Sequence, residues 1–266
     1  MNSLFRSEYA TKAKEHTMLM DQDETVKMCT AQSISRTEVF DGRTFRPNEP
    51  VRTNDSPTTV LFTPNDTVTA ALGYPDKMVV LLNFASYKHP GGMFLRGSAA
   101  QEEAICHKSN LFNILRDFDG SYYNENRKMA AGNPLYTDRA LYTPNVVINN
   151  GVFNVHNNSV VTCAAPNLRS PIPMDYPTYK DVLDRRVRFI RDIIYAHPFD
   201  VIILGAWGCG VFKNNPNDVM DSFLKAFYPC KELKGKTIVF AVPGINENSD
   251  VFKVAPRLYA KMYGGS

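Results

Sequence analysis

Short, continuously apolar runs alternate along the chain with longer segments in which apolar residues recur at helical spacing. Continuous runs of this kind are typical of strands that are buried on both faces of a sheet. They predict four strands: "MVVLLNFA" (Met78–Ala85), "SVVTCAAPN" (159–167), "FDVIILGAW" (Phe199–Trp207) and "TIVFAV" (237–242). A further strand is expected in "RALYTPNVVINNGVF" (139–153).

The segments between these runs predict helices. One helix should start at Ser98, a suitable N-cap, and continue to about Phe118. Others are expected at Asp218–Tyr228, in the closing stretch "APRLYAKMY" (255–263) and near the N-terminus in "SEYATKAKEHTMLM" (7–20). The turn-rich "FDGRTFRPNEPVRTND" (40–55) predicts strand and loop, and "DFDGSYYNENRK" (117–128) an ordinary surface connection.

The segment Tyr179–His197 has the clearest amphipathic pattern in the chain. Its apolar positions form one stripe: Val182, Leu183, Val187, Ile190, Ile193 and Ile194. Arg185, Arg188, Arg191 and Asp192 should lie largely away from that stripe. The arginines raise the possibility of nucleic-acid binding, but no aromatic stacking platform accompanies them, so we favour a solvated helix face.

Strands that alternate with helices predict a mostly parallel sheet covered on both sides. We therefore expect an α/β fold with three layers, α/β/α, and a mixed, mostly parallel sheet. No linker or internal repeat interrupts the pattern, so residues 1–266 should form a single domain, with residues 1–59 as an N-terminal helical extension packed on it.

Composition narrows the class of protein. A hydrophobic fraction of 44%, a charged fraction of 21% and a net charge of +3 are those of an ordinary soluble protein and do not by themselves indicate a nucleic-acid partner. The sequence has neither a bilayer-spanning apolar run nor a secretory signal, so we expect no membrane association and an intracellular location, cytoplasmic or nuclear. Five scattered cysteines predict reduced thiols, and five dispersed histidines predict no zinc site.

Two junctions between a strand and a helix carry unusual sequences. The first, "NFASYKHPGGMFLRGSAAQEE", joins two glycines to a helix that begins with adjacent glutamates. Its candidate residues are Asn83, Gly91, Gly92, Gln101, Glu102 and Glu103. Glycines allow a close backbone approach to a ligand, but acidic residues also stabilise a helix N-terminus without any catalytic role. The residues of this junction leave both interpretations open.

The second junction, "LGAWGCGVFKNNP", follows the strand that contains Val201–Leu204. Gly205, Gly208 and Gly210 would allow several N–H groups to point into one concavity, which suits a phosphate or diphosphate. The loop is not a P-loop, because no Gly-Lys-Ser/Thr follows. A plain structural turn is an equally good interpretation. Trp207 could contact a ligand or pack beneath the loop, and packing is at least as well supported.

Together these motifs resemble a known family. "NFASYKHPGGMFLRGSAAQEEAICHKSNLF" is similar to the GGG…QEE signature of bacterial-type poly(ADP-ribose) glycohydrolases, whose fold is a macrodomain, and "LGAWGCGVFKNNP" resembles their diphosphate loop. The resemblance extends from about Val60 to Phe252. It implies hydrolysis of the ribose–ribose O-glycosidic bonds of poly(ADP-ribose), with ADP-ribose as product and with neither cofactor nor metal.

The resemblance also implies roles for individual residues. Glu103 would be the catalytic acid, Glu102 would hold ribose hydroxyls, and Gln101 would support the loop. The remaining substrate contacts would come from Asn83, Gly91, Gly92, Gly208, Cys209, Gly210, Val211 and Phe212. The distal ribose would contact Asn83, Gly91, Gly92 and Phe212. The diphosphate would bind to Gly208, Cys209, Gly210 and Val211. "TPNDT" (Thr63–Thr67) would lie at the adenine end.

One position departs from the signature: Met93 stands where the family has its third glycine. A side chain there would strain a backbone of positive φ or narrow the pocket. Two alternatives therefore stay open, a mono-ADP-ribosyl hydrolase acting on modified protein or nucleic acid, and an ADP-ribose-binding module without turnover. The expected partners are poly(ADP-ribose) or ADP-ribosylated protein, and we expect a monomer.

Adjacent residues of a helix point about 100° apart, so Glu102 and Glu103 cannot flank a glycosidic bond from opposite faces. A single glutamate would therefore have to act first as acid and then as base.

Overall fold

The computed structural model describes residues 3–51, 53, 58–155, 157–169 and 175–244. Its α-helices are α1 (Ser3–Gln22), α2 (Glu24–Arg36), α3 (Thr67–Leu72), α4 (Gln101–His107), α5 (Leu111–Leu115), α6 (Asn124–Met129), α7 (Tyr176–Tyr195) and α8 (Pro216–Ala226). Its strands are β1 (Glu38–Asp41), β2 (Thr59–Thr63), β3 (Val79–Phe84), β4 (Arg139–Thr143), β5 (Ile148–Asn149), β6 (Phe153–Asn154), β7 (Asn158–Cys163), β8 (Val201–Leu204) and β9 (Thr237–Ala241). The predicted closing helix at 255–263 lies outside the described residues.

The main sheet has the strand order β1-β4-β7-β3-β8-β9-β2. The strands from β7 to β2 run parallel to one another, whereas β4 is antiparallel to both of its neighbours. The predicted mixed, mostly parallel sheet is therefore confirmed. Because β3 and β8 are parallel neighbours, the two unusual junctions leave the sheet at the same edge.

Both faces of the sheet are covered, which confirms the three layers. Along β3, Val80 and Leu82 enter a core formed with α7 and α8. The alternate residues Val79 and Leu81 enter a second core, formed with α3, α4 and α5. The period of two residues along a strand explains how one apolar run supplies both cores.

The N-terminal segment contains more regular structure than its sequence indicates. It forms two helices, α1 and α2, and Asp23 caps the second by accepting a hydrogen bond from the Val26 N–H at 2.9 Å. The chain then enters the sheet as β1, paired with β4. The expected extension thus supplies one edge strand of the main sheet.

The single helix predicted from Ser98 to Phe118 is wrong. Helix α4 begins at Gln101 and ends at His107, and α5 begins at Leu111. The break has a tertiary cause, because the Asn110 side chain accepts a bond from the Val147 N–H and donates one to Thr30 Oγ1. Such long-range partners leave no signal in the local sequence.

Two further predictions need correction. The strand expected over residues 139–153 is β4 followed by the small hairpin of β5 and β6. The segment expected to be a surface connection, 117–128, is mostly helical, and Tyr122 and Tyr123 within it are buried.

Helix α7 begins after Asp175, whose carboxylate accepts a bond from the Thr178 N–H at 2.9 Å. Five of the six residues of its apolar stripe are buried as predicted, and Val182 is half-buried. Arg191 and Asp192 are buried too and are paired with each other. Arg186 is fully buried and bonded to Asp138 at 2.8 Å. The prediction of a solvated face is therefore wrong for Arg191 and Asp192, whereas Arg185 and Arg188 are exposed as expected. No helix in the described ranges has the length and apolarity to cross a membrane.

Candidate active site

The two unusual junctions meet across one crevice of about 530 Å³. Residues from the β3–α4 junction and its helix line one side, and the loop after β8 lines the other. The lining residues are Asp66, Thr67, Val68, Phe84, Ala99, Ala100, Gln101, Ala104, Ile105, Ala206, Gly208, Gly210, Val211, Phe212, Ala241, Val242 and Pro243. The stretch Thr63–Thr67, expected at the adenine end, thus contributes two lining residues to the same crevice.

Gln101 connects α4 to the end of β3. Its Nε2 donates hydrogen bonds to the Leu82 carbonyl and to Thr67 Oγ1, both at 2.9 Å. Its Oε1 accepts one from the Phe84 N–H at 2.8 Å. All its hydrogen-bonding groups are therefore used inside the protein, which agrees with a supporting role and leaves the side chain little capacity to bind a ligand directly.

The two glycines of the first junction have no room for a side chain. Gly91 and Gly92 have φ values of +62° and +61°, in the left-handed region that favours glycine. A Cβ at Gly91 would lie 2.7 Å from the Phe112 ring, and one at Gly92 would lie 2.6 Å from Glu103 Oε1. The glycines are therefore needed so that the loop can lie against the acidic pair.

Met93 causes none of the backbone strain that its sequence position suggested. Its φ is −110°, a value open to any residue. Its N–H donates to Glu103 Oε1 at 2.9 Å, so the residue lies directly against the acidic pair. The side chain is 41% exposed.

Glu102 is buried, with 3% of its surface exposed, and both of its oxygens accept hydrogen bonds. Oε1 accepts one from Asn83 Nδ2 at 3.2 Å, and Oε2 accepts one from the Ser86 N–H at 2.7 Å. Burial raises the pKa of Glu102 to about 8; Glu103 adds to the rise, and the Ser86 and Asn83 donors oppose it. A rise of this size favours the neutral form of Glu102 near neutral pH.

Glu103 is also buried, with 5% of its surface exposed, but only one of its oxygens is engaged. Oε1 accepts the Met93 N–H, whereas Oε2 has no hydrogen-bond partner among the described residues. N–H donors occupy both oxygens of Glu102, so the free oxygen of the acidic pair is Glu103 Oε2. The two adjacent carboxyl groups therefore differ in hydrogen bonding.

Asn83, expected to contact the substrate, is fully buried. Its Nδ2 donates to Glu102 and to Thr162 Oγ1, the latter at 3.3 Å. Its Oδ1 has no partner within the described part of the chain. The side chain therefore positions Glu102 and keeps one free acceptor.

The loop after β8 is folded by a few backbone bonds. The Cys209 N–H donates to the Ala206 carbonyl at 3.1 Å and is therefore already used inside the loop. Four neighbouring N–H groups have no acceptor among the described residues: those of Gly208, Gly210, Val211 and Phe212. Burial raises the pKa of the Cys209 thiol to about 12, so a thiolate nucleophile is not available there at neutral pH.

Trp207 anchors this loop from below. It is fully buried, and its Nε1 donates to the Cys163 carbonyl at 3.0 Å. The alternative in which it packs beneath the loop is therefore correct. Gly208 has a φ of +73°, and a Cβ there would lie 2.4 Å from the Ala165 Cβ, so this glycine too is required by the protein itself.

An aromatic group beside Phe212 was missed from the sequence. Tyr136 lies 6.1 Å from Phe212 between ring centroids and stacks on Tyr87 at 4.3 Å. The Asn167 amide donates to the Tyr136 hydroxyl at 3.0 Å. These residues come from four separate segments of the chain, so no local pattern in the sequence could have grouped them. Among the described residues, no cluster of His, Cys, Asp or Glu could hold a metal ion.

The chain is similar to one family of known enzymes. A family model for the catalytic domain of microbial-type PARG matches residues 2–150. The chain is similar to poly(ADP-ribose) glycohydrolase from Thermomonospora curvata bound to the inhibitor ADP-HPD, with a TM-score of 0.79, 26% identity and coverage of 95% of this chain and 99% of that chain. It is also similar to poly(ADP-ribose) glycohydrolase from Deinococcus radiodurans in complex with ADP-ribose. For that structure the TM-score is 0.71 and the identity 28%, with coverage of 88% of this chain and 98% of that chain. A search among curated proteins found no match.

Proposed function

This chain belongs to the family of microbial-type poly(ADP-ribose) glycohydrolase (PARG) catalytic domains, and we propose that it releases ADP-ribose from poly(ADP-ribose) with Glu103 as general acid and then general base. The observation that carries the assignment is the unpartnered, buried Oε2 of Glu103 beside a neighbour whose two oxygens are both occupied. A carboxyl group with one free oxygen can give and take a proton without losing an existing hydrogen bond.

In the proposed reaction, protonated Glu103 gives its proton to the oxygen that joins the terminal ribose to the rest of the polymer. The carbon–oxygen bond breaks, and its electron pair stays on that oxygen. Water then attacks the oxocarbenium-like ribose carbon and passes a proton to the Glu103 carboxylate. The products are ADP-ribose and a polymer with a free hydroxyl, and Glu103 returns to its protonated form.

Glu102 and Asn83 are proposed to orient the ribose. The carboxylate is held by donors from β3 and from the chain that follows it, so its position is fixed before substrate arrives. Asn83 is fully buried, so it acts on the ribose only through Glu102, which its Nδ2 holds in place. Such preorganisation lowers the cost of aligning the sugar with the acid.

The diphosphate is proposed to lie on the loop after β8. The free N–H groups of Gly208, Gly210, Val211 and Phe212 supply donors for anionic oxygens. Gly210 has no atom within 4 Å of an ideal Cβ, which leaves open space above the loop. The adenine end would then lie toward Asp66 and Thr67, which line the same crevice. ADP-ribose is the proposed product, and the protein is proposed to act as a monomer.

A module that binds ADP-ribose without turnover is less well supported. Its best argument was the replacement of a glycine by Met93, but the Met93 backbone is unstrained and its N–H holds the proposed acid. The departure from the family signature therefore leaves the catalytic geometry intact.

The test is release of ADP-ribose from poly(ADP-ribose) by wild type and Glu103→Gln. Loss of a general acid costs about 10²–10⁴-fold in rate, so we expect a decrease in kcat of that size. Thermal stabilisation by ADP-ribose should persist, amounting to about 2.7 kcal/mol at a hundred times the dissociation constant. The control is Glu24→Gln, an exposed glutamate at the start of α2. Wild-type rates of release by Glu103→Gln would remove Glu103 from its proposed role.

A further inference from the structure

The Met93 side chain is an apolar group next to the proposed acid. The Met93 N–H donates to Glu103 Oε1, so the side chain starts within a few bonds of the carboxyl group that protonates the leaving oxygen. With 41% of its surface exposed, Met93 is only partly covered by its surroundings, whereas the next residue, Phe94, is buried. The function described so far gives this side chain no task.

The backbone that carries Met93 is held from several sides. Its carbonyl accepts bonds from the N–H groups of Arg96 and Ser98 at 2.9 and 3.2 Å. Phe94 packs in a cluster with Ala13 of α1, Cys106 and Phe112.

The same turn is also closed from outside by α1. Gly97 lies so near this helix that a Cβ there would be 2.0 Å from the Arg6 carbonyl oxygen. A backbone shift that carries Met93 away from Glu103 would therefore have to disturb α1 as well. The side chain can move only by changing its rotamer.

The proposed chemistry defines what lies near this side chain during the reaction. A general acid must contact the oxygen of the leaving group, so the part of the substrate beyond the broken bond has to approach Glu103. In the proposed binding mode the ADP-ribose unit lies in the crevice that Gln101 and the glycine-rich loop share, and Met93 is not among the residues that line it. Met93 is therefore assigned to the leaving-group side of Glu103.

We propose that the Met93 side chain determines leaving-group specificity by crowding the space next to Glu103, so that a small leaving group departs more readily than the next nucleotide of a polymer. The inference rests on the proposed function of Glu103. A bulky leaving group has to push the methionine into a less favourable rotamer, whereas a small alcohol or phenol does not. Because the backbone is fixed, this cost cannot be relieved by movement of the turn.

The experiment compares two substrates in wild type and Met93→Ala. One substrate is poly(ADP-ribose), and the other is ADP-ribose linked through the same ribose carbon to a small phenol. We expect Met93→Ala to raise kcat/KM for the polymer by about threefold to tenfold, the range that corresponds to relief of a strained rotamer. The value for the phenol conjugate should change by less than about twofold, and the affinity for ADP-ribose should not change.

Two control variants separate crowding from other effects. Met93→Leu keeps most of the side-chain volume and should behave like wild type. Leu95→Ala removes a side chain from the same turn, where Leu95 has a similar exposure of 40% but no bond to Glu103. It should leave kcat/KM unchanged for both substrates.

The outcomes for this inference and for the proposed function can be told apart. Equal changes in kcat/KM for both substrates would mean that Met93 only positions Glu103 and would overturn the inference. Polymer release by wild type that Met93→Ala leaves unchanged would also overturn it, while the proposed function would stand. Release from polymer by neither protein would count against both.

Discussion

The two junctions that form the crevice contain glycines at the same edge of the sheet, yet they are built in opposite ways. At the first junction, the half-buried Gln101 and the buried Glu102 form several hydrogen bonds within the protein. The groups left without a partner there are acceptors, Asn83 Oδ1 and Glu103 Oε2. At the second junction, a buried tryptophan supports the loop from below, and several backbone N–H donors above it have no acceptor among the described residues.

The two junctions differ in why they contain glycine: at one the fold requires it, and at the other the close approach of a ligand would require it. Gly92 has positive φ and would place a Cβ against both carboxylates, so the folded protein itself requires it. Gly210 has no neighbour within 4 Å of an ideal Cβ, so nothing in the protein requires it. A small residue at an otherwise open position is explained if a ligand has to approach the backbone there.

The largest effect is expected when each of the two glycines, Gly92 and Gly210, is replaced by alanine in turn. Gly92→Ala combines positive φ with a contact of 2.6 Å to Glu103 Oε1, so we expect it to lower the free energy of unfolding by about 3 kcal/mol. It should also reduce polymer hydrolysis by about 100-fold or more, because the acid is displaced. Chemical denaturation and the release assay measure the two effects.

Gly210→Ala is the matched substitution at the second junction. It should change the free energy of unfolding by less than about 0.5 kcal/mol, as expected for a site without neighbours, while weakening the binding of ADP-ribose. Equal losses of stability at Gly92 and Gly210 would contradict the proposed division between the junctions.

Much of this comparison could be predicted from the sequence. The apolar runs around Leu81 and Ile203 identified two strands, and the rule that ligands bind at the carboxyl ends of parallel strands brought the motifs after them together. These inferences rest on periodicity and on chain direction, which are local properties of the sequence. The roles of the acidic pair and of the glycine-rich loop came instead from the resemblance to a known family, because the residues alone left a second interpretation open for each.

What could not be predicted depends on partners that are distant in the sequence. Arg186 is buried because Asp138, 48 residues away, neutralises it, and the helix after Gln101 ends early because Asn110 bonds to Val147 and Thr30. The unequal hydrogen bonding of Glu102 and Glu103 likewise depends on where the tertiary fold places Asn83, Ser86 and Met93.

A second pair of substitutions removes the side-chain amides that form hydrogen bonds within each junction, Gln101 at the first and Asn214 at the second. Gln101→Ala removes three hydrogen bonds and leaves the Leu82 carbonyl without its side-chain donor, so we expect a loss of about 2 kcal/mol in the free energy of unfolding. Because this amide fixes the start of the helix that carries Glu103, kcat should fall more than the affinity for ADP-ribose.

Asn214→Ala is its counterpart at the second junction, where the amide donates to the Pro166 and Gly208 carbonyls at 2.8 and 3.1 Å. We expect a smaller loss of about 1 kcal/mol, and the affinity for ADP-ribose should fall more than kcat. Calorimetric titration with ADP-ribose and steady-state kinetics separate the two parameters. The reverse pattern, with Gln101→Ala acting on affinity and Asn214→Ala on kcat, would contradict the assignment of chemistry to one junction and binding to the other.

The smallest expected effect concerns the charge of the first junction. Burial raises the pKa of Glu102 from 4.5 to about 8, so the folded protein binds a proton more tightly there than the unfolded chain does. The corresponding stability is fully present below about pH 4.5 and is lost as the pH rises through about 8.

Glu102→Gln replaces the carboxyl group by an amide that is uncharged at any pH, so this part of the dependence of stability on pH should become flatter. The new amide can be accommodated because Asn83 can turn its free Oδ1 toward it. We expect the decrease in Tm between pH 6 and pH 9 to be smaller in the variant by about 2–4 °C. A decrease of the same size in both proteins would show that Glu102 is already ionised in the folded state at pH 6.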